Sequence, residues 1–255
     1  MRHLVLPDCQ VKPGHSVEYL EHIGKYILEM KPERVVCLGD FADMPSLSSY
    51  DKGKKSFEGK RYVNDVAATH EGMKALLGPI TKYNKQQAKN KKAQYLPDMQ
   101  MLYGNHENRI VRAVNDDSKL EGVLKLEDLK YDDFGWTTHP FLDVVLLDGV
   151  AYSHYFVTGV AGRAASSALA QLRKTNMSCI AGHQQGLQIA TATRADGCLL
   201  TSVIAGSAYE HDEDYMGPQG NKHWRGILVL HDVNDGQYDL MPVSLKYLRG
   251  KYGIS

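Results

Sequence analysis

No apolar run in the 255-residue sequence reaches the roughly 18 residues that a membrane-crossing helix needs, so no membrane partner is expected. Net charge is also missing: 30 Lys and Arg balance 30 Asp and Glu. That balance excludes a histone-like or polybasic binder of nucleic acid. A disordered chain would combine low hydrophobicity with high net charge, whereas 43% of these residues are apolar. The four cysteines, Cys9, Cys37, Cys179 and Cys198, form no Cys-x-x-Cys pair, which removes zinc-knuckle and thioredoxin-like motifs. Reduced, mostly buried thiols and a cytoplasmic protein are the expectation. The opening MRHLVLPDCQ holds a short apolar stretch without a small-residue cleavage site, so it does not read as a signal peptide. Internal repeats, low-complexity tracts and linkers are absent. A single domain over residues 1–255 follows, long enough to bury roughly 70–75% of its unfolded surface.

What is present alternates strand and helix. His3–Pro7 reads as a strand, and a helix follows from an N-cap at Ser16, with Ile23, Ile27 and Met30 at helical spacing. Arg34–Leu38 is short, β-branched and apolar, like a buried parallel strand. A long helix from about Val63 to Lys92, bent near Pro79, comes next, then a strand at Met99–Tyr103 and a helix from Glu107. Beyond Gly122, short β segments begin at Val144, Ala151, Ser178, Leu199, Gly226 and Tyr238, with one helix over Gly162–Lys174. The βα-rich first half and strand-rich second half predict an α/β fold, two mixed sheets in a sandwich flanked by helices.

Five polar clusters each follow the carboxyl end of a predicted strand. They are Asp8-Cys9-Gln10, Gly39-Asp40-Phe41-Ala42-Asp43, Gly104-Asn105-His106-Glu107, Ser153-His154 and Gly182-His183-Gln184-Gln185. Ligands of open α/β sheets bind at that edge. Carboxylate, amide and imidazole together suit divalent cations such as Mn, Fe, Zn or Mg. Two ions about 3.5–4 Å apart need a shared carboxylate, and Asp40 is the natural bridge.

The order D-x-Q, G-D-x-x-D, G-N-H-E, H, G-H-x-Q resembles that of the calcineurin-like metallophosphoesterases, whose pattern is D-x-H, G-D-x-x-D, G-N-H-[DE], H, G-H-x-H. The blocks run from Asp8 to Gln185. The resemblance implies that family's sandwich fold and two divalent metal ions, Mn first, with Mg, Fe, Zn or Ni as alternatives. It assigns Asp8, Gln10, Asp40 and Gln185 to the first ion, and Asp40, Asn105, His154 and His183 to the second. It further implies phosphoester hydrolysis by a metal-bound hydroxide, with His106 protonating the leaving oxygen and Asp43 as its acidic partner. Gln10 and Gln185 replace the family's histidines. A carboxamide oxygen is a harder and weaker ligand than imidazole, so the first site is expected to be weak and to favour Mn or Mg over Zn.

Around these positions the expectations diverge. Arg109 either clamps a substrate phosphate or pairs with Glu107 or an aspartate. The basic KGKK at 52–55, which includes Lys54 and Lys55, follows the G-D-x-x-D loop and is a candidate substrate contact; the basic stretch Lys82–Lys92 is another. The segment Tyr209–Trp224 is a candidate pocket wall, and its acidic run Glu210–Asp214 reads as a solvated face. Cys9 reads as an apolar filler. A phosphodiesterase or nuclease acting on DNA or RNA is preferred. The alternatives are a phosphomonoesterase, disfavoured because Met44-Pro45 rather than arginine follows Asp43, and a non-catalytic interaction module.

Overall fold

Four consecutive buried residues open the fold at β1 (His3–Leu6), and their alternation sets the layers. Leu4 and Leu6 face a core shared with helices, whereas Val5 faces a second core shared with another sheet. A computed structural model describes residues 1–50, 53–213 and 216–253. After β1 come α1 (Glu18–Met30), β2 (Arg34–Cys37), α2 (Tyr62–Lys89), β3 (Asp98–Leu102) and α3 (Asn108–Asp116). Then follow β4 (Thr137–His139), β5 (Val145–Leu147), β6 (Val150–Ser153), α4 (Ala168–Thr175), β7 (Cys179–Ala181), β8 (Leu187–Thr193) and β9 (Leu199–Ala205). The short α5 (Gly217–Gly220), β10 (Gly226–Asn234), β11 (Gln237–Ser244) and α6 (Leu245–Tyr252) complete the α-helices and strands among the described residues. No helix among the described residues is long and apolar enough to cross a membrane.

The fold is α/β with two mixed sheets flanked by helices. One sheet has the order β11-β10-β1-β2-β3-β4 and the other β5-β6-β7-β9-β8. Val36, Leu38, Leu102 and Leu228 of the first sheet meet Val150, Tyr152, Ile180 and Val203 of the second in one buried cluster. The two halves are therefore not one sheet each, as the sequence suggested. β10 and β11 come from the second half but pair back onto β1, antiparallel, with Leu4 opposite Val229. That non-local pairing leaves no signature in either strand alone.

Other differences are local. Ser16 does not cap α1 directly: Val17 holds the N-cap position, and Ser16 Oγ accepts the Glu18 N–H at 3.2 Å. Pro79 lies inside a continuous α2. α4 begins only at Ala168, where Ser167 Oγ accepts the Ala170 N–H at 3.2 Å, because the residues before it pair back on the chain, Ala164 bridging Val157 and the Ala165 N–H donating to the Phe156 carbonyl at 3.0 Å. β4, β8 and α6 were not anticipated. β8 (LQIATAT) is mostly exposed at the sheet edge, and its seven-pair register with β9 rather than its apolar content makes it a strand.

The edge opposite the polar clusters is fastened by charge. His3, fully buried, bonds Tyr152 Oη through Nδ1 at 2.7 Å and Asp148 through Nε2 at 2.8 Å, while Arg34 Nε donates to the same carboxylate at 2.7 Å. β1 and β2 are thereby tied to β6 and its neighbouring turn.

Candidate metal centre

β1, β2 and β3 run parallel, as do β6, β7 and β9. Their carboxyl ends therefore deliver Asp8, Asp40, Asn105–His106, His154 and His183–Gln185 to one edge of the two sheets. Asp8 also joins the sheets there, its carbonyl accepting the Ala208 N–H at 2.8 Å. Two glycines permit the convergence. A Cβ on Gly104 would sit 2.1 Å from Asp40 Oδ1, and one on Gly182 would sit 2.5 Å from Asp8 Oδ1. Three non-glycine residues there, Gln10 (φ 43°), Asp40 (φ 49°) and His183 (φ 66°), hold left-handed backbone. Such conformations persist only where surrounding bonds enforce them, and they gather at functional sites. Here the Gln10 N–H donates to the Asp40 carbonyl at 2.8 Å, the His106 N–H to Asp40 Oδ1 at 2.8 Å, and the His183 N–H to Asp8 Oδ1 at 3.0 Å.

Side-chain atoms able to bind a metal ion converge at the centre. His154 bonds the Leu38 carbonyl through Nδ1 at 2.8 Å. That bond occupies Nδ1 and turns Nε2 toward the centre. That nitrogen lies 2.9 Å from Asn105 Oδ1 and 3.5 Å from Asp40 Oδ2. His183 Nδ1 lies 2.8 Å from the same Asn105 oxygen. Burial, and then the neighbouring His154, push the His183 imidazole down to about 4, so it is neutral at pH 7. Burial opposes ionisation of Asp40, but His106 and His154 outweigh it and hold its carboxyl below the ordinary range. Asp40, His154 and His183 offer ligand atoms within 4.8 Å of one another. This buried group could bind a metal ion.

Asp8 faces the centre from the other side. Burial, and then Asp40, push its carboxyl up to about 7. Gln185 Nε2 reaches Asp8 Oδ2 at 3.4 Å, while Gln185 Oε1 is buried with no hydrogen-bond partner. Gln10 is buried alongside. Mutually opposed carboxylates and an orphaned amide oxygen form a surplus of acceptors, and a cation fits that surplus.

His106 borders the cluster, with Nε2 3.7 Å from Asp40 Oδ2. Its Nδ1 bonds Asp43 Oδ1 at 2.7 Å, the partner the family resemblance implies. Burial works against the imidazolium, but Asp40 and the Asp43 bond outweigh it and raise the pKa above its ordinary value. Asp43 is held well below the carboxylate range, its burial outweighed by His106 and then Lys12 and Arg109. Arg109 pairs with Asp43 rather than Glu107. Its Nη1 donates to the Asp43 carbonyl at 2.7 Å, and Nη2 lies 3.1 Å from His106 Nε2.

Three residues escaped the sequence reading. Glu107, fully buried, accepts the N–H groups of Asp40, Ala42 and Gly104, each at 2.9 Å, and the Tyr131 hydroxyl at 3.1 Å. Its place in G-N-H-E was visible, but its role as a backbone staple was not. Lys12 Nζ bridges Glu213 Oε1 at 2.6 Å and Asp43 Oδ2 at 3.7 Å, and Glu213 also takes His211 Nε2 at 2.7 Å. The acidic run is thus not uniformly a solvated face: Asp212 is exposed, whereas Glu213 anchors the 209–224 segment beside Asp43. Lys54 and Lys55 face solvent on a turn ahead of α2. Lys52, Asp214 and Tyr215 lie outside the described residues. Cys9 is fully buried, in keeping with a filler.

No protein-family model matches this sequence, and no curated protein matches it.

Proposed function

We propose that this chain is a metal-dependent phosphoester hydrolase of the calcineurin-like type, acting on phosphodiesters. The observation that carries the reading is the meeting of Asp40, Asn105, His154 and His183 on one buried edge, with the Asp43-bonded His106 beside them. Asp40, Asn105, His154 and His183 would hold one divalent ion tightly. Asp8, Gln10, Asp40 and Gln185 would hold a second more weakly, because two of the four ligands are carboxamides. Mn is the first candidate. Bound there, the ions would supply Lewis acidity toward the phosphoryl oxygens and lower the pKa of the attacking water.

The chain's own groups do the rest. Asp43 fixes the His106 proton at Nδ1, so Nε2 is the atom that exchanges a proton with the leaving oxygen. In the neutral ring, Nε2 accepts from Arg109 Nη2. A substrate phosphate gives that guanidinium a stronger partner, which frees Nε2 to carry its proton. Substrate binding and acid activation are coupled through one arginine.

The test loads the chelated protein with Mn and compares turnover of bis-p-nitrophenyl phosphate and p-nitrophenyl phosphate, with metal analysis alongside. Faster turnover of the diester is expected. Preference for the monoester would replace the diester reading with a phosphatase, and hydrolysis of neither would overturn the enzyme.

A further inference from the structure

A groove lined by lysines lies away from the candidate metal centre. It has a volume of about 760 Å³ and runs along α2, where Lys74, Lys82, Lys85 and Lys89 line it with Asp133 and Phe134. The lysines fall at helical spacing on one face, and Gly78 between Lys74 and Lys82 leaves the groove floor open. All four are exposed, and among the described residues none forms an ion pair. Residues 74–92 hold six lysines and no acid. A helix face that is merely solvated gains from Glu–Lys pairs at i,i+4, whereas like charges at that spacing, as at Lys85 and Lys89, destabilise it. The groove therefore costs the helix stability unless an anion covers it.

We infer that this groove binds the phosphate backbone of a single-stranded nucleic acid, with Phe134 as a base-stacking platform. Four cations face one carboxylate, Asp133, so the complementarity is to a polyanion rather than to one phosphate. From Lys74 to Lys89 the helix rises about 22 Å, the length of roughly six stacked nucleotides at about 3.4 Å each. A half-buried aromatic ring among lysines is the pairing that grips single strands without reading sequence. The N-terminal end of α2 lies at the catalytic edge, where Asp65 Oδ2 accepts the Ser46 N–H at 2.9 Å, three residues beyond Asp43. The groove begins nine residues further on and leads away. A strand held there is fed toward the metal centre, yet the groove uses none of that centre's residues.

Binding of a short fluorescein-labelled oligothymidylate, measured by anisotropy in chelator so that nothing is cleaved, tests this. Four phosphate contacts predict an affinity loss of about fiftyfold between 50 and 200 mM salt, at roughly 0.7 counterions per contact. The Lys82→Glu/Lys85→Glu/Lys89→Glu protein should bind at least about thirtyfold more weakly, with a shallower salt slope. Phe134→Leu, which keeps an apolar side chain in place, should lose about tenfold. Mn-dependent turnover of a small chromogenic diester should be unchanged in the triple variant. Unchanged oligonucleotide affinity in the triple variant, or equal affinity for a duplex of the same length, overturns the inference. Because binding is read without metal, failure of the hydrolase reading leaves this result intact, and the reverse.

Discussion

The Glu107 carboxylate accepts the backbone N–H of Asp40 at 2.9 Å, and with the same group it takes the N–H of Gly104 and of Ala42. One buried side chain thus sets the spacing between the loops after β2 and β3. Asp40 comes from the first loop and Asn105 and His106 from the second, so the geometry of the centre passes through Glu107. Burial, and then Asp40, raise the Glu107 carboxyl above its ordinary range, while the backbone donors pull it back toward the anion.

Glu107→Gln should therefore be costly although it preserves shape. The amide nitrogen would face backbone donors and leave at least one buried N–H unpaired, a loss of about 2–3 kcal/mol. Urea denaturation of both proteins checks the stability. Mn titration of the variant should show weakened binding, because the Asp40 loop is no longer held. A variant as stable as wild type would show that the staple is dispensable.

Gly104→Ala addresses the close approach. A methyl group 2.1 Å from Asp40 Oδ1 has no room, and the neighbour is a side chain pinned by the His106 N–H. Metal affinity should fall by about tenfold or more, with stability lower by about 2 kcal/mol. Calorimetric titration with Mn reads the first effect, and thermal denaturation the second.

Metal removal should make stability depend on pH in an unusual direction. With no cation present, the Asp8 carboxyl is pushed to about 7 by burial and Asp40. The folded chain then keeps a proton that the unfolded chain releases near 3.8. Its contribution is fully present below that value and is lost as pH rises through about 7. Chelated protein should therefore melt lower at pH 8 than at pH 5.5, and Mn should raise the melting temperature more at pH 8. Asp8→Asn should flatten the chelated profile. A chelated protein that gains stability up to pH 8 would contradict the buried pair.

Gln185→His restores an imidazole where an amide oxygen is buried without a partner. An ion held by Asp8, Gln10, Asp40 and the new imidazole should bind about tenfold more tightly than with Gln185, and Zn should gain more than Mg. Metal analysis of the purified variant against wild type reads both changes.

Much of this was legible in the residues. The strands that carry the centre are short apolar runs bounded by glycine and acid, so Arg34–Cys37 and Asp98–Leu102 fell close to their expected places. The His106–Asp43 bond is the pairing that the family resemblance implies. What stayed hidden was non-local. β10 reaches β1 across more than two hundred residues, and no pattern within GILVLHDVN names its partner. Lys12 and Glu213 meet across a similar separation. The lysines of α2 were visible as a basic run, but the concavity they line depends on Phe134, supplied by a distant turn.

The most direct measurement is Mn-dependent hydrolysis of bis-p-nitrophenyl phosphate by wild type and by His106→Ala, with Mn affinity measured on both. His106 donates its backbone N–H to Asp40, a bond the substitution keeps. The predicted result is near-equal Mn affinity with turnover lower by about 10²–10⁴-fold in the variant. Equal turnover by the two proteins, or none by wild type at saturating Mn, would contradict a phosphoester hydrolase built on this edge.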